Sequence, residues 1–418
     1  MALVAVFSIL MIGGLSALSA TSEAAETEPL EIELVKIIEL LDIFPEEIIA
    51  VNDGYVICGY EGNAYIEKRD KDFNVVWSDI LEGDGSSYNA LKQTADGGYI
   101  VAGYEKDKEY LIAKYDSEGN QKWITNPTGT PNITLLGLIV VEDGYVTIGC
   151  SYADSKSYII KFDLDGNEED RYETELNRIW GMTYNSDLFL IFTGSSYKTE
   201  IYAYDYNIDL QWNNTYDYNI SDINAYKNGF YGAASVDNTT GLLLIFDENA
   251  DIVKTIEYNW QETYETQLYV STYKGDYYVT AGEISIDTFW YEYGLVVIFD
   301  EDGNVLYEKK ISDELENYTD SYAIYITTTP DGFIVVYKAW DDVSNYGTYI
   351  AVFGGLATEG GSEETAAPGD SSNPMILILI FLIMLIIVAV LTRRFGAPGF
   401  MFGAFLTLIV LGLTYLVW

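Results

Sequence analysis

Two short segments of the chain carry oxygen-bearing side chains at the spacing with which a calcium loop begins. Asp, Asp, Gly and Asn occupy positions 163, 165, 166 and 167, and the same residues recur at 300, 302, 303 and 304. The same types also favour tight turns, because Asp and Asn hydrogen-bond to nearby backbone and Gly adopts left-handed backbone. Both segments lack the further oxygens and the bidentate Glu of a full loop. We therefore expect turns, with a cation site as the alternative.

Other catalytic chemistry has little support. The 418 residues include no histidine, which excludes Ser-His-Asp and Cys-His systems and removes the commonest metal ligand. The 65 acidic residues offer many carboxylate pairs for a glycosidase-type reaction, but the linear sequence selects none. Cys58 and Cys150 lie in apolar runs and are predicted to be buried thiols, with a disulfide as the alternative. We predict no catalytic residue, cofactor or metal ligand.

The acidic residues are confined to positions 21–373. The only basic residues outside this segment are Arg393 and Arg394, so it holds 20 bases against 65 acids, a net charge of −45 within a total of −43. Such a surface repels nucleic acid. The expected partners are a protein, a glycan or further copies of the chain in a surface array.

Both ends of the chain indicate export to a membrane surface. Residues 1–24 resemble a secretory signal peptide, although an uncleaved anchor is the alternative. Residues 357–373 have the composition of a flexible linker, and 374–418 contain two apolar segments near the length of a transmembrane helix, the first of them short, which predict a transmembrane helical hairpin. Arg393 and Arg394 lie between these segments and predict that the connecting loop is cytoplasmic. Residues 25–356 would then lie outside the cell.

The tripeptide Pro398-Gly399-Phe400, followed by an apolar segment, weakly resembles a tail signal that archaeal sorting enzymes process. The basic cluster that ends that signal is missing, and an apolar segment precedes the tripeptide. A plain helical hairpin is the favoured interpretation. Five Asn-x-Ser/Thr sequons are candidate glycosylation sites in the exported part: Asn132, Asn213, Asn219, Asn238 and Asn317.

The strongest pattern is a repeat of about 46 residues. A Gly-containing turn leads into an apolar run, as at 53–60, and ten to fifteen residues later a second apolar run ends in Asp, as at 110–116. This pair of themes occurs seven times, the last with Gly354 in place of Asp. Four residues after the Asp comes Asn or Asp, and seven residues after it comes Trp77, Trp123 or Trp212 in three copies. The recurring aromatic residue predicts packing between neighbouring sheets.

Each repeat predicts four short strands, which is one blade of an all-β propeller. The seventh repeat ends after three strands, and residues 31–41 are placed to supply the fourth and close the ring. A helix is the alternative for 31–41, and six or eight blades are alternatives for the count. The predicted fold is a seven-bladed β-propeller over 25–356, followed by the linker and a transmembrane helical hairpin.

The run from Asp116 through Gly119 and Asn120 to Trp123 resembles the quinoprotein-type (PQQ-like) repeat. The resemblance extends over about residues 51–353 and implies the propeller fold. Similar repeats build quinone-dependent dehydrogenases and also non-enzymatic scaffold propellers. The dehydrogenases use a pair of adjacent cysteines, and this chain has none. The resemblance therefore implies a fold and carries no active site over.

We expect a non-enzymatic binding, scaffold or surface-coat protein, anchored in the membrane with its propeller at the cell surface. One alternative is a carbohydrate-acting or lyase-type propeller enzyme, and another is an accessory subunit of a membrane complex. The aromatic stretch 289–293 could form a sugar- or protein-binding patch, with packing between blades as the favoured interpretation.

Overall fold

The computed structural model describes the middle of the chain. It covers residues 31–356 apart from short gaps at 41–42, 83–84, 130–131, 152, 175, 177–178, 186, 196–197, 228, 237–238, 261–264, 286–291, 312–319 and 341–345. The predicted signal peptide, linker, transmembrane hairpin and Pro398-Gly399-Phe400 lie outside these residues. Within them, no helix has the length and apolar character needed to cross a membrane.

The described residues form 28 strands in seven four-stranded sheets. Six sheets contain four consecutive strands, and the seventh combines the last three strands of the chain with the first. Blade 1 comprises β2 (Phe44–Val51), β3 (Gly54–Glu61), β4 (Asn63–Asp70) and β5 (Val75–Ile80). Blade 2 comprises β6 (Ser86–Gln93), β7 (Tyr99–Glu105), β8 (Leu111–Tyr115) and β9 (Gln121–Thr125). Blade 3 comprises β10 (Thr134–Val141), β11 (Gly144–Ser151), β12 (Lys156–Asp163) and β13 (Glu168–Thr174).

The other four blades follow the same order. Blade 4 comprises β14 (Ile179–Tyr184), β15 (Phe189–Ser195), β16 (Lys198–Tyr204) and β17 (Leu210–Tyr216). Blade 5 comprises β18 (Asn219–Tyr226), β19 (Gly229–Val236), β20 (Thr240–Phe246) and β21 (Ile252–Tyr258). Blade 6 comprises β22 (Glu265–Lys274), β23 (Tyr277–Ser285), β24 (Glu292–Asp300) and β25 (Val305–Lys310). Blade 7 comprises β26 (Asp320–Thr329), β27 (Gly332–Trp340), β28 (Tyr346–Gly354) and β1 (Glu33–Leu40).

The predicted seven-bladed β-propeller is confirmed. Adjacent strands within each blade are antiparallel, and the first strands of neighbouring blades contact one another around the ring. The ring closes where β1 pairs with β28, from Glu33 opposite Gly354 to Leu40 opposite Thr348. Residues 33–40 are therefore a strand and supply the strand that the seventh repeat lacks. Pairing with β1 covers the edge of β28, and β1 becomes the outer strand of blade 7.

The turn between the third and fourth strands explains the repeated Asp and Asn. In blade 3, Asp163 Oδ1 accepts hydrogen bonds from the backbone N–H groups of Asp165 at 2.9 Å and Asn167 at 2.8 Å. The residue before Asn167 is Gly166, with a φ of 81°. Five other turns have the same hydrogen bond, in which the backbone N–H four residues after the Asp donates to the Asp side chain. The six acceptors are Asp70, Asp116, Asp163, Asp205, Asp247 and Asp300. The favoured turn interpretation is confirmed.

The recurring Trp binds one blade to the next, as predicted. The Trp77 indole of blade 1 donates to the carbonyl of Ser117 in blade 2 at 3.3 Å. The ring also lies against Gly119, where a Cβ atom would come within 2.4 Å of it. Lys254 replaces the Trp in blade 5, but its Nζ atom still donates to the equivalent carbonyl, that of Glu301, at 2.9 Å. The contact between blades therefore continues where the sequence pattern appears broken.

The hydrophobic core is divided among the blade interfaces. Seven clusters of buried apolar side chains lie in the described part of the chain, each between two neighbouring blades. The cluster between blades 7 and 1 includes Ile334, Val336, Ile57 and Tyr65, all fully buried or nearly so. Because this interface is packed like the others, the ring closes through side-chain burial as well as through β1.

Candidate binding site in the central cavity

The first strand of every blade contains a β-bulge at the same place. In each pairing of a first strand with its second strand, one residue of the first strand is skipped. The extra residues are Glu46, Asn89, Leu136, Trp180, Ser221, Tyr269 and Ile324. A bulge re-aims the local side chain and increases twist. Seven equivalent positions with seven different residue types therefore encircle the axis of the propeller.

A cavity of about 860 Å³ occupies this axis. Six of the seven bulge residues line it, with Tyr269 the exception. Other lining residues come from the beginnings of first strands, such as Phe44, and from the ends of second strands, such as Tyr60. The cavity therefore lies toward the end of the blades opposite the Asp-containing turns. Its volume is in the range of small-molecule sites.

Glu47 follows the bulge of blade 1 and joins three blades. Its Oε2 atom accepts the backbone N–H of Leu91 at 2.5 Å, and its Oε1 atom accepts Lys92 Nζ at 2.5 Å and the Tyr325 hydroxyl at 3.1 Å. Leu91 and Lys92 belong to blade 2, and Tyr325 belongs to blade 7. Burial by itself would lower the pKa of Lys92. The charge of Glu47 and the hydrogen bond between the two side chains have the larger combined effect, and the pKa of Lys92 is raised.

Asp222 occupies the equivalent position in blade 5 and joins blades 5 and 6. It accepts hydrogen bonds from the backbone N–H of Ser271 at 2.7 Å, the Ser271 hydroxyl at 3.0 Å and Asn224 Nδ2 at 2.8 Å. Burial raises the pKa of Asp222 to about 6, although these hydrogen bonds favour the charged form. Glu47 and Asp222 are therefore both already used to hold neighbouring blades together.

The cavity has an apolar wall and a charged wall. Leu136, Trp180 and Met182 line it from blades 3 and 4, and the Trp180 side chain keeps 37% of its surface exposed. Glu46 of blade 1 and Lys338 of blade 7 line it on the other side of the ring. The surrounding protein raises the pKa of Glu46, and the charge of Lys338 opposes that shift. Glu46 is nevertheless exposed to the cavity solvent.

An acidic cluster lies between blades 6 and 7, beside this charged wall. The buried Glu283 accepts a hydrogen bond from the Tyr269 hydroxyl at 2.5 Å. Burial raises the pKa of Glu283 to about 8; the charges of Glu292 and Glu265 contribute, while Tyr269 opposes the shift. Burial and the charge of Asp320 also raise the pKa of Glu292. Among the described residues, no group of three or more acidic or cysteine side chains has the arrangement of a metal site.

The residues predicted as sites are dispersed. Asn213 is exposed on the outer strand β17, whereas Asn132 and Asn219 are half-buried near cavity-lining Thr134 and Ser221. Asn238, Asn317, Arg393 and Arg394 lie outside the described residues. Residues 289–291 of the aromatic stretch also lie outside the described residues. Tyr293, at the end of that stretch, lies in β24, and Lys310 Nζ is 4.5 Å from its ring centre. Cys58 is buried, Cys150 is half-buried, and no disulfide joins them.

The repeat pattern in the sequence does not reveal the cavity-lining residues, because that pattern is recognised from its turn residues. The bulge residue lies eight positions before Gly54, Gly144, Gly229 and Gly332, the glycines that open four second strands. That fixed offset from a recognisable turn was available in the sequence. The residue types at the offset vary from Glu to Trp, so a search for similar residues passes over them.

Comparisons with known proteins identify the fold alone. No protein-family model and no curated protein sequence matches the chain. A solved structure of a catalytically inactive His-to-Ala variant of virginiamycin B lyase from Staphylococcus aureus, with quinupristin, matches with a TM-score of 0.52 and 14% identity, covering 77% of this chain and all of that one. The Dos1 propeller matches with a TM-score of 0.49 and 13% identity, covering 73% of this chain and 77% of that one. At such identities the shared feature is the propeller.

Proposed function

We propose that this protein is a non-catalytic binding protein whose propeller is exported and held at the cell surface by the C-terminal apolar segments. The observation that carries the proposal is the use of two of the three carboxylates in the cavity lining, Glu47 and Asp222, as clamps. Glu47 and Asp222 each accept three hydrogen bonds, and each joins its blade to a neighbour. A carboxylate fully engaged by structural donors is poorly placed to exchange protons with a substrate.

The composition supports the same proposal. The chain has no histidine, and the lyase of similar fold is inactive as a His-to-Ala variant. A lyase-type or carbohydrate-acting reaction here would have to proceed without a histidine. The cavity instead offers an exposed Trp together with apolar and polar side chains in about equal measure, a lining that can hold a ligand with both apolar and polar groups. The quinoprotein-type identity of the repeat is likewise a proposal, and it adds no chemistry.

The proposed location rests on the ends of the chain. Two uncharged apolar segments separated by Arg393 and Arg394 would place the propeller outside, in agreement with an N-terminal export signal. The strongly acidic exterior favours a basic protein or a neutral glycan as partner and disfavours nucleic acid. Assembly into a surface array requires cations to screen the net charge of −43.

The experiment measures thermal unfolding of the full-length protein in phosphatidylcholine nanodiscs. Glu47→Gln keeps the shape but removes the charge, and it should lower Tm because it weakens contacts among blades 7, 1 and 2. Glu248→Gln, at an exposed position, is the matched control and should leave Tm unchanged. Residues kept for catalysis usually cost stability, so a higher Tm in Glu47→Gln would count against the proposal.

A second measurement tests location. An impermeant protease added to intact cells should degrade the propeller while leaving the segment around Arg393 and Arg394 associated with the membrane. Protection of the propeller until the cells are lysed would contradict the proposed orientation.

A further inference from the structure

The cavity is polarised across its diameter. In a ring of seven blades, blade 4 lies opposite the junction of blades 7 and 1. Blade 4 supplies Trp180 and Met182, and blade 3 supplies Leu136, so one side of the cavity is apolar. The junction of blades 7 and 1 supplies Glu46 and Lys338. A ligand that spans the cavity would therefore meet a different chemical environment at each end.

Trp180 is the principal feature of the apolar side. It occupies a bulge position, and 37% of its side chain is exposed although it lines a concave cavity. The equivalent bulge residues of blades 5 and 2 are Ser221 and Asn89, so the propeller does not require an aromatic residue at this position. A wide, rigid indole surface left open in a cavity favours contact with an aliphatic or aromatic group of a ligand.

Glu46 is the carboxylate available to a ligand on the opposite side. Among the described residues, no hydrogen-bond donor contacts the Glu46 side chain, whereas the adjacent Glu47 accepts several hydrogen bonds. Burial by the surrounding residues raises the pKa of Glu46. An ionised carboxylate in this setting gains from a cation that enters the cavity. Lys92, the other lysine lining the cavity, is paired with Glu47.

The charges behind this wall are predominantly negative. The positive charge of Lys338 favours ionisation of Glu46. Tyr322, opposite Lys338 on the neighbouring strand, has its pKa raised by burial and by the charges of Glu283, Glu292 and Glu46. Three carboxylates from blades 6 and 1 thus act on Tyr322. The total charge of −43 further concentrates cations at the propeller.

We propose that the cavity binds an organic cation, in which an amine or guanidinium group is joined to an aliphatic or aromatic group. The cationic group contacts Glu46, and the apolar group lies against Trp180 and Met182. The cavity volume of about 860 Å³ accommodates a ligand the size of a dipeptide or a larger amine. This inference rests on the proposed binding function and names its ligand class.

The experiment uses 4-phenylbutylamine and its anionic counterpart 4-phenylbutyrate, which differ in the charge at one end. Binding to the full-length protein in phosphatidylcholine nanodiscs is measured by saturation-transfer NMR, with empty nanodiscs as the baseline. The amine should bind at least about tenfold more tightly than the acid. n-Butylamine, which lacks the ring, should bind about tenfold more weakly than the phenyl compound.

Two variants locate the contacts. Glu46→Gln should weaken amine binding by about five- to tenfold, while the control Glu248→Gln should not change it. Trp180→Ala should weaken binding of the amine by about tenfold, and Trp180→Phe should retain most of it. Both residues are exposed to the cavity, so each variant should fold, and Tm is measured to show that it does.

Equal binding of the amine and the acid, or an unchanged affinity in Glu46→Gln, would overturn the ligand class. An unchanged affinity in Trp180→Ala would overturn the assignment of the apolar side. The same NMR spectra report whether the amine is consumed. Binding followed by conversion would leave the ligand class intact and contradict the proposed non-catalytic function, so the two failures are distinguishable.

Discussion

The contact between a Trp of one blade and a turn glycine of the next gives a quantitative test of what holds the ring together. A Cβ atom added at Gly166 would lie 2.5 Å from the Trp123 ring, and the backbone there has a φ of 81°. Gly97 has a nearly identical φ of 78°, but an added Cβ atom would meet nothing within 4 Å. Alanine at the two positions therefore shares the backbone cost and differs in the steric contact.

The magnitudes follow from these two terms. A left-handed alanine costs about 1–2 kcal/mol, and the reduced freedom of the unfolded chain returns about 0.4–1 kcal/mol. Gly97→Ala should therefore cost about 1 kcal/mol. Gly166→Ala adds an overpacking cost of about 1–3 kcal/mol, for a total of about 2–4 kcal/mol. At the entropy of unfolding typical of a domain this large, we expect Tm to fall by about 3–8 °C for Gly166→Ala and by about 2 °C for Gly97→Ala.

The assay is differential scanning fluorimetry of the full-length protein in nanodiscs, repeated with Trp123→Leu alone and combined with Gly166→Ala. If the indole causes the clash, Gly166→Ala should cost less in the Trp123→Leu background than in the wild type. Equal Tm losses for Gly166→Ala and Gly97→Ala would refute the reasoning. So would full additivity of Gly166→Ala and Trp123→Leu, since the ring and the turn would then be uncoupled.

Two further predictions concern the acidic cluster and ring closure. Because the folded-state pKa of Glu283 is raised from 4.5 to about 8, the folded protein binds more protons in this window, and the contribution of Glu283 to stability falls as pH rises through it. As pH rises from about 5 to about 9, the Tm of Glu283→Gln should therefore fall by less than the Tm of the wild type. Parallel curves of Tm against pH for the two proteins would contradict this. Deletion of residues 33–40 exposes the edge of β28 and should lower Tm by more than about 5 °C and promote aggregation in size-exclusion chromatography. A monodisperse deletion variant with unchanged Tm would contradict the closing role of β1.

The parts of the fold that were predictable depend on local chemistry. Asp163 and Asn167 lie four residues apart and form the turn mainly with each other, so their spacing alone indicated it. The repeat period and the three-strand seventh unit then led to the blade count and to the closing strand. The role of Trp123 was predictable as packing between sheets, but the glycine it contacts was not, because that glycine belongs to the next repeat.

The candidate site was much less predictable. Glu47 hydrogen-bonds to Lys92, 45 residues away, and to Tyr325, 278 residues away. No local pattern distinguishes Glu47 from the neighbouring Glu46, yet one is a buried clamp and the other faces the cavity. The bulge in β2 separates them by turning consecutive side chains to different surroundings.

The sequence alone determined the architecture of this protein, because turn residues and alternating apolar runs act over a few positions and repeat seven times. It also determined the excess of acidic residues and the absence of histidine, which follow from composition. Only the tertiary structure decided which of the 65 acidic residues face the axis, and which of these are engaged by donors from neighbouring blades. The physical reason is that the cavity is formed by the first strands of all seven blades and by the ends of several second strands, so its lining is assembled from positions spread from residue 44 to residue 338.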